Sequence, residues 1–431
     1  MPQKKRPYVP KIKGCYECSQ RRIHCDRTHP SCKKCEIKGI SCSGFGVSWR
    51  FRNSFSVGTK GVKNDSLLTE NWRHATPKNC TTKSSPVNNQ QDTRASMGDS
   101  RLNESSTFIS TLSPQPGLSS TISPRETFLL EYFSQHIAPE MVIIDDQNNG
   151  WRHMVLPLAH SNAIVMNSVL AASAFHLSAR SGSGLHDATN LYAKAIRELQ
   201  RRSVIDQYDL ETQHNVILAI LVLLVALMVN GSSDFPIVFQ MLQSAISAIG
   251  GDSILSEGEL AKFLLRQIYK MRVYGAPFIS QDVGTCTLLF EGQQGFDCLE
   301  YYRHLYPNYF DSIERIANLR QQAHDIYLYR ASLGDGGPPS THLVENFKAT
   351  LELMPEGSLG EHSLIWACFI AASESHTPEH QSFFDEYLKR QFSRSGFVNI
   401  LRALDLLKKI RSNATNENWT KLLPEPQVFI M

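Results

Sequence analysis

The sequence predicts a three-part chain: a small metal-organised module, a disordered polar linker and a large all-α domain. Three observations predict it. Six of the ten cysteines fall within residues 15–42. Residues 53–122 are rich in Ser, Thr, Asn and Gln, and carry too few apolar residues to offset the entropy of ordering. From Ser123 onward apolar residues recur at helical spacing, with no sustained alternation of the kind a strand needs. The expected limits are a basic flexible arm at 1–14, the module at 15–42, the linker at 43–122 and the helical domain at 123–431.

Charge is divided along the same lines. The 431 residues carry a net charge of +3, yet residues 1–52 hold 13 Lys and Arg against 3 Asp and Glu. A short basic head on an acidic body is expected to meet a polyanion, and double-stranded DNA is the leading candidate. A membrane surface fits less well, because the head has no amphipathic apolar face. The basic N-terminus (Lys4, Lys5, Arg6) is not followed by the apolar stretch of a secretory signal. The longest apolar run, Val216 to Val229, is short for a membrane span and is expected to be a buried core helix. The chain is therefore expected inside the cell, where thiols stay reduced and clustered cysteines point to metal rather than disulfides. Cys80, Cys286, Cys298 and Cys368 are scattered and read as ordinary residues.

The clustered cysteines, Cys15, Cys18, Cys25, Cys32, Cys35 and Cys42, have the spacing C-x2-C-x6-C-x6-C-x2-C-x6-C. This is an internal repeat with an offset of 17 residues. Structural zinc takes four ligands in tetrahedral geometry. Two zinc ions need eight bonds, which six sulfurs supply if two of them bridge, and in a twofold repeat the natural bridges are one equivalent cysteine from each half. A segment this small has no apolar core of its own, so metal must supply its folding energy. A disulfide framework, a single zinc with spare thiols and an iron–sulfur site are the competing readings.

The run Gly14-Cys15-x2-Cys18-x2-Arg21-Arg22-x-His24-Cys25-Asp26-x3-Pro30-x-Cys32-x2-Cys35-x6-Cys42 closely resembles the fungal binuclear zinc-cluster transcription factors. The resemblance implies a small binuclear zinc cluster with two short helices, holding two zinc ions with Cys15 and Cys32 as bridges and Pro30 in the turn between halves. It implies that a first helix over about residues 18–25 enters the major groove and reads CGG-type triplets through Arg21 and Arg22. An arginine fork can bond bidentately to guanine O6 and N7, which agrees. Lys33 and Lys34 suit phosphate contacts, as do Lys4, Lys5, Arg6, Lys11 and Lys13 of the arm. The family usually has Arg where this chain has Ser19, and Lys where it has His24. Each change removes a fixed positive charge from the DNA face, so weaker phosphate anchoring is expected. His24 belongs to that face rather than to the metal site.

The body also resembles a known domain, the second class of fungal-specific transcription factor regulatory domain. The matching stretches are Cys42-x-Gly44-Phe45-Gly46 with Trp49, Asn149-Gly150-Trp151-Arg152 with Leu156-Pro157-Leu158-Ala159, Leu170 to Leu177, Phe369 to Glu374, and Trp419-x2-Leu422-Leu423. The family usually has Pro at the position of Gly150. Ser123, Pro124 and Glu126 mark the first helix by their capping pattern. Further helices are expected at 161–180, 186–204, 211–230, 234–249, 257–273, 308–333, 341–353, 361–376, 380–393 and 396–412, with Gly250-Gly251 and Gly336-Gly337-Pro338-Pro339 as separators. Ser85, Ser113 and Ser123 each precede proline, a context that suits phosphorylation.

The function expected from these features is zinc-dependent, sequence-specific regulation of transcription in the nucleus. Its partners would be DNA, the transcription machinery or co-regulators, and a small-molecule effector of the body. Residues 43–72 contain Gly44, Gly46, Gly58 and Gly61 and no heptads, so a homodimer would form without a coiled coil. The sequence contains no nucleophile elbow, P-loop or dinucleotide fingerprint, and a paired-histidine metal site is not expected, so no catalytic residue is expected. His136, His153, His160 and His176 read as core or surface histidines. The alternative is a helical small-molecule-sensing or enzymatic protein that uses the zinc cluster as a tether.

Overall fold

The computed structural model describes residues 18, 21–26, 28, 32–40, 122–255, 257–412 and 417–431. The predicted arm, the predicted linker as far as residue 121, and with them Ser85 and Ser113, lie outside the described residues. In the N-terminal module helix α1 spans Lys33–Glu36. Every α-helix and 3-10 turn of the body follows in one chain, and among the described residues there is no strand. The helices are α2 (Pro124–His136), α3 (Gly150–His153), α4 (Val155–Ser161), α5 (Ala163–Ser181), α6 (Leu185–Arg201), α7 (Leu210–Asn230) and α8 (Phe235–Ala248). They continue with α9 (Glu259–Gly275), α10 (Gln281–Phe290), α11 (Asp297–Leu305), α12 (Phe310–Ser332), α13 (Thr341–Glu352), α14 (Ile365–Glu374), α15 (Pro378–Ser395) and α16 (Val398–Arg411).

The chemistry of the helix ends follows the sequence. Ser123 caps α2 through a reciprocal pair: its hydroxyl accepts from the Glu126 N–H at 3.3 Å, and the Glu126 carboxylate accepts from the Ser123 N–H at 2.9 Å. Asp209 caps α7, and Gly231 ends it in the left-handed conformation at φ 61°. Helix α7 is long and apolar enough to cross a bilayer by composition alone. Its setting differs: every residue from Val216 to Val229 is buried, packed by α5, α6, α8, α9 and α16. A second axial helix, α14, is buried along its whole length among α12, α13, α15 and α16. The body is organised around these two apolar helices, each enclosed by amphipathic ones.

Periodicity missed α3, α4, α10 and α11. Helix α3 is a single turn and α4 carries Pro157 inside it. Helix α10 holds Val283, Gly284, Thr285 and Thr287, all poor helix formers. Tertiary packing explains the glycine: a Cβ on Gly284 would lie 2.8 Å from Pro277 Cα and against the Tyr327 hydroxyl. Helix α11 is nine residues long, with only Leu299 and Tyr302 buried, too short a stripe to read.

The stretches that carry the family resemblance do structural work in the body. Asn149 caps α3 by accepting from the Trp151 N–H at 3.0 Å, and its amide donates to the Ala138 carbonyl at 3.0 Å. Arg152 forks onto the Asp145 carboxylate at 2.7 and 3.0 Å. Trp151 is fully buried, edge-on to Phe263 with ring centroids 5.6 Å apart. Gly150 is required by that ring, since a Cβ there would sit 2.5 Å from Phe263.

His176 joins Tyr132 on α2, at 3.0 Å from its hydroxyl, to the Ser395 carbonyl ending α15, at 2.7 Å. Burial lowers its pKa. Glu374 is the deepest ionic contact. Its carboxylate, 1% exposed, accepts from Arg330 Nε at 2.7 Å, from Trp419 Nε1 at 2.7 Å and from the Ser340 N–H at 2.7 Å. Arg330 completes its fork on the same carboxylate and donates to the carbonyls of Gly337 and Pro338. The Gly-Gly-Pro-Pro separator is thus the acceptor set for a buried guanidinium.

Candidate metal centre and nucleic-acid interface

The buried cluster among the described residues of the module consists of cysteines alone: Cys18, Cys32 and Cys35 at 0% exposure and Cys25 at 5%. The sulfurs of Cys18, Cys25 and Cys32 all lie within 4.8 Å of one another. Cys18 Sγ is 3.5 Å from Cys32 Sγ. That is far beyond a disulfide bond of about 2.05 Å. It is close to the edge of a tetrahedron of sulfurs about 2.3 Å from a zinc ion, roughly 3.8 Å. The donor set therefore fits a thiolate-bound zinc that draws sulfurs from both halves of the repeat. Cys15, Cys42 and Pro30 lie outside the described residues, as does Ser19.

The repeat written in the cysteine spacing recurs in the backbone. The Ile23 N–H donates to the Cys18 carbonyl at 3.0 Å, and 17 residues on, the Ile40 N–H donates to the Cys35 carbonyl at 3.1 Å. The residue before each isoleucine is left-handed: Arg22 at φ 53° and Gly39 at φ 66°. Both halves end their helical turn with the same six-residue closure, but the first uses arginine where the second uses glycine. Holding a non-glycine residue there costs about 1–2 kcal/mol. The closure also shortens the expected first helix. The turn that includes Cys18 stops at Arg21-Arg22, and residues 23–26 are not helical.

The five predicted DNA-facing residues separate into two groups. Arg22, His24, Lys33 and Lys34 are exposed and Arg21 is half-buried. Arg21 and Lys34 differ from the others in clasping the two halves together. Arg21 Nη2 donates to the Lys34 carbonyl at 3.1 Å and lies 3.8 Å from Cys18 Sγ, while Lys34 Nζ donates to the His24 carbonyl at 2.6 Å. Sequence reasoning gave no role to Thr28, and quoted Asp26 only as part of the motif. Both accept from the Lys33 N–H, at 3.0 and 3.1 Å, and so hold the start of α1, where the Cys32 sulfur is the cap. Their position just before the second cysteine pair was the available signal.

Comparison with known proteins covers both parts. Residues 13–48 match the fungal Zn(2)-Cys(6) binuclear cluster domain. Residues 128–276 and 293–427 match the fungal specific transcription factor domain, and the interval skipped contains α10. The acriflavine sensitivity control protein acr-2 of Neurospora crassa is 44% identical over 54 residues, 12% of this chain and 9% of that protein. The arginine metabolism regulation protein II of Saccharomyces cerevisiae is 33% identical over 49 residues, 11% of this chain and 6% of its own length. Both relatives are thus matched over less than a tenth of their lengths, and no solved structure matches. With a cysteine-cored zinc-binding head of the first family and a helical body matched along most of its length by the second, this chain belongs to the fungal transcription factors that join a Zn(2)-Cys(6) cluster to a fungal specific transcription factor domain.

Proposed function

We propose that this chain is a nuclear, zinc-dependent regulator of RNA polymerase II genes that reads CGG-type triplets in the major groove. The observation that carries the reading is the left-handed turn at Arg22, which keeps an exposed guanidinium directly beside the cysteine core. The six cysteines, Cys15, Cys18, Cys25, Cys32, Cys35 and Cys42, hold two zinc ions, with Cys15 and Cys32 shared. Bound zinc supplies the folding energy that this module lacks. Arg22 leads base reading through bidentate bonds to guanine. Arg21 joins it only by leaving the Lys34 carbonyl, and otherwise keeps the two halves in register. Lys33, His24 and Lys34 face phosphates, as do the lysines of the arm.

Residues 15–42 are the reading head in this proposal, 43–122 the connection and 123–431 the regulatory body, which meets co-regulators, an effector or a second copy of the chain. The test is a gel-shift titration of the full-length protein on CGG-containing and scrambled duplexes at several salt concentrations. Arg22→Ala should abolish the preference for CGG, whereas Lys33→Ala should weaken both duplexes alike and flatten the salt slope by about one. Ser19→Arg with His24→Lys should tighten binding and steepen the slope. Equal binding of both duplexes by the wild type would sink the sequence-specific reading.

A further inference from the structure

Arginines set into this fold pair with carboxylates. The buried Arg330 forks onto Glu374. The half-buried Arg272 forks onto Asp252 at 2.8 and 3.0 Å. Arg320, in the middle of α12, breaks the pattern. It is 2% exposed, yet among the described residues no carboxylate reaches it. Its contacts among the described residues are with neutral groups: the Cys298 thiol at 3.5 Å, the Ser363 carbonyl at 3.4 Å, and Tyr274, whose ring centroid is 5.6 Å away and whose hydroxyl it meets. Cys298 in turn points its thiol at the Gly295 carbonyl, 3.6 Å away.

Arg320 lines a cavity of about 60 Å³ between the 140–143 segment, α9, α11, α12 and the 362–365 turn. The space exceeds the roughly 10–15 Å³ that one water occupies. Lys270 lines the same cavity, and its only hydrogen bond among the described residues is a long one of 3.4 Å to the Met141 carbonyl. Desolvation first, then the neighbouring Arg320, pushes its pKa down to about 8. His362, also in the wall, is tied by Nε2 to the Val142 carbonyl at 2.5 Å. The carboxylates nearby are already engaged: Glu140 with Arg394, and Glu361 with Arg390 and Gln391. Arg266, Lys270 and Arg320 thus line one cavity in which the lining carboxylate, Glu140, is already engaged by Arg394, an arrangement that is costly unless a further anion completes it.

Two further features give that anion a shape. Gln267, 8% exposed, lines the cavity with its Oε1 buried and lacking a partner. An unsatisfied buried acceptor calls for a donor such as a hydroxyl. The lining also includes Met154, Met228 and Phe397, which suits a short carbon skeleton. We propose that this cavity is a binding site for a small hydroxycarboxylate. The carboxylate meets Arg320 and Lys270, the hydroxyl donates to Gln267, and the carbon chain lies on the methionines. A ligand there bridges α9 and α12, and so stabilises the helical body. The proposal stands apart from the reading of DNA, and its test uses none.

The purified full-length protein would be titrated calorimetrically, and its thermal unfolding followed, with lactate, malate, acetate and inorganic phosphate against chloride at matched ionic strength. Lactate or malate should bind and raise Tm, and acetate should bind at least about tenfold more weakly. Arg320→Met and Lys270→Met should each remove the response. If no anion is bound there, removing a buried unpaired charge should leave these variants as stable as the wild type or more so in every salt. Should Arg320→Met fail to fold, Gln267→Leu is decisive: it should erase the preference for lactate over acetate while acetate binding persists. A wild type indifferent to all four anions, a response retained in Lys270→Met, or phosphate binding as tightly as malate would each overturn the proposal.

Discussion

The buried cluster of the module is four cysteines, Cys18, Cys25, Cys32 and Cys35, whereas that of the body is built on α7 and α14, whose apolar residues are enclosed on every side. In the first, a few sulfurs at fixed spacing form the whole buried cluster, and the backbone presents them on two short turns. In the second, stability is spread over a large apolar surface and secured by a few fully paired polar contacts, Glu374 with Arg330 foremost. The difference teaches that the two parts should fail independently, for different chemical reasons and at different single residues.

Metal removal gives the largest expected separation. A chelator strong enough to strip zinc should unfold the module, for which metal supplies on the order of 10–16 kcal/mol, and abolish DNA binding. Helical circular dichroism and the thermal transition of the body should hardly change. Loss of body helicity on chelation would show that the two parts are coupled.

The converse experiment breaks the body alone. Glu374→Ala leaves Arg330 buried without its partner and should cost about 3–5 kcal/mol in denaturant unfolding, with zinc content unchanged. Burial works to raise the Glu374 pKa, but the hydrogen bonds from Arg330, Ser340 and Trp419 outweigh it and hold the group below its ordinary 4.5. Because the folded value is depressed, this stabilisation is complete above about pH 4.5 and fades as pH falls through the lower folded value. Acid titration of Glu374→Gln against wild type should show a smaller loss in the variant over that range.

A smaller effect concerns a close approach. Gly150→Ala drives a Cβ into Phe263 and should cost about 1–3 kcal/mol, and Gly150→Pro should behave likewise despite the family's use of proline here. Phe263→Leu should recover part of the loss in the double variant. Additive losses would mean the contact is not the reason for the glycine.

Arg22→Gly sharpens the comparison within the module. It would make the first half like the second, where Gly39 occupies the left-handed position, and should raise zinc affinity by about 1 kcal/mol while removing DNA recognition. Zinc competition assays and gel shifts would separate the two effects.

Much of this was legible in the sequence because it rests on local periodicity. Cysteine spacing, the Ser123–Glu126 cap and the helical stripes are properties of near neighbours along the chain. Helices α10 and α11 were not legible, since the glycine and short stripes in them make sense only against Pro277, Tyr327 and the other elements they pack on. The division of the basic residues into Arg22, His24 and Lys33, which present their side chains to solvent, and Arg21 with Lys34, which clasp the two halves, was also hidden. Adjacent arginines look alike in sequence, and only the turn between them decides which one is tied to the second half.

By itself, the sequence determined that the chain has a cysteine-cored, twofold-repeated head and a helical body, because cysteine spacing and hydrophobic period act over a few residues. The tertiary structure alone decided that Gly150 lies against Phe263, that Glu374 gathers Arg330, Ser340 and Trp419, and that Lys270 and Arg320 line one cavity whose Glu140 is already engaged by Arg394. Those residues are tens to hundreds of positions apart. Charge pairing and close packing depend on distance in space, which no local pattern records.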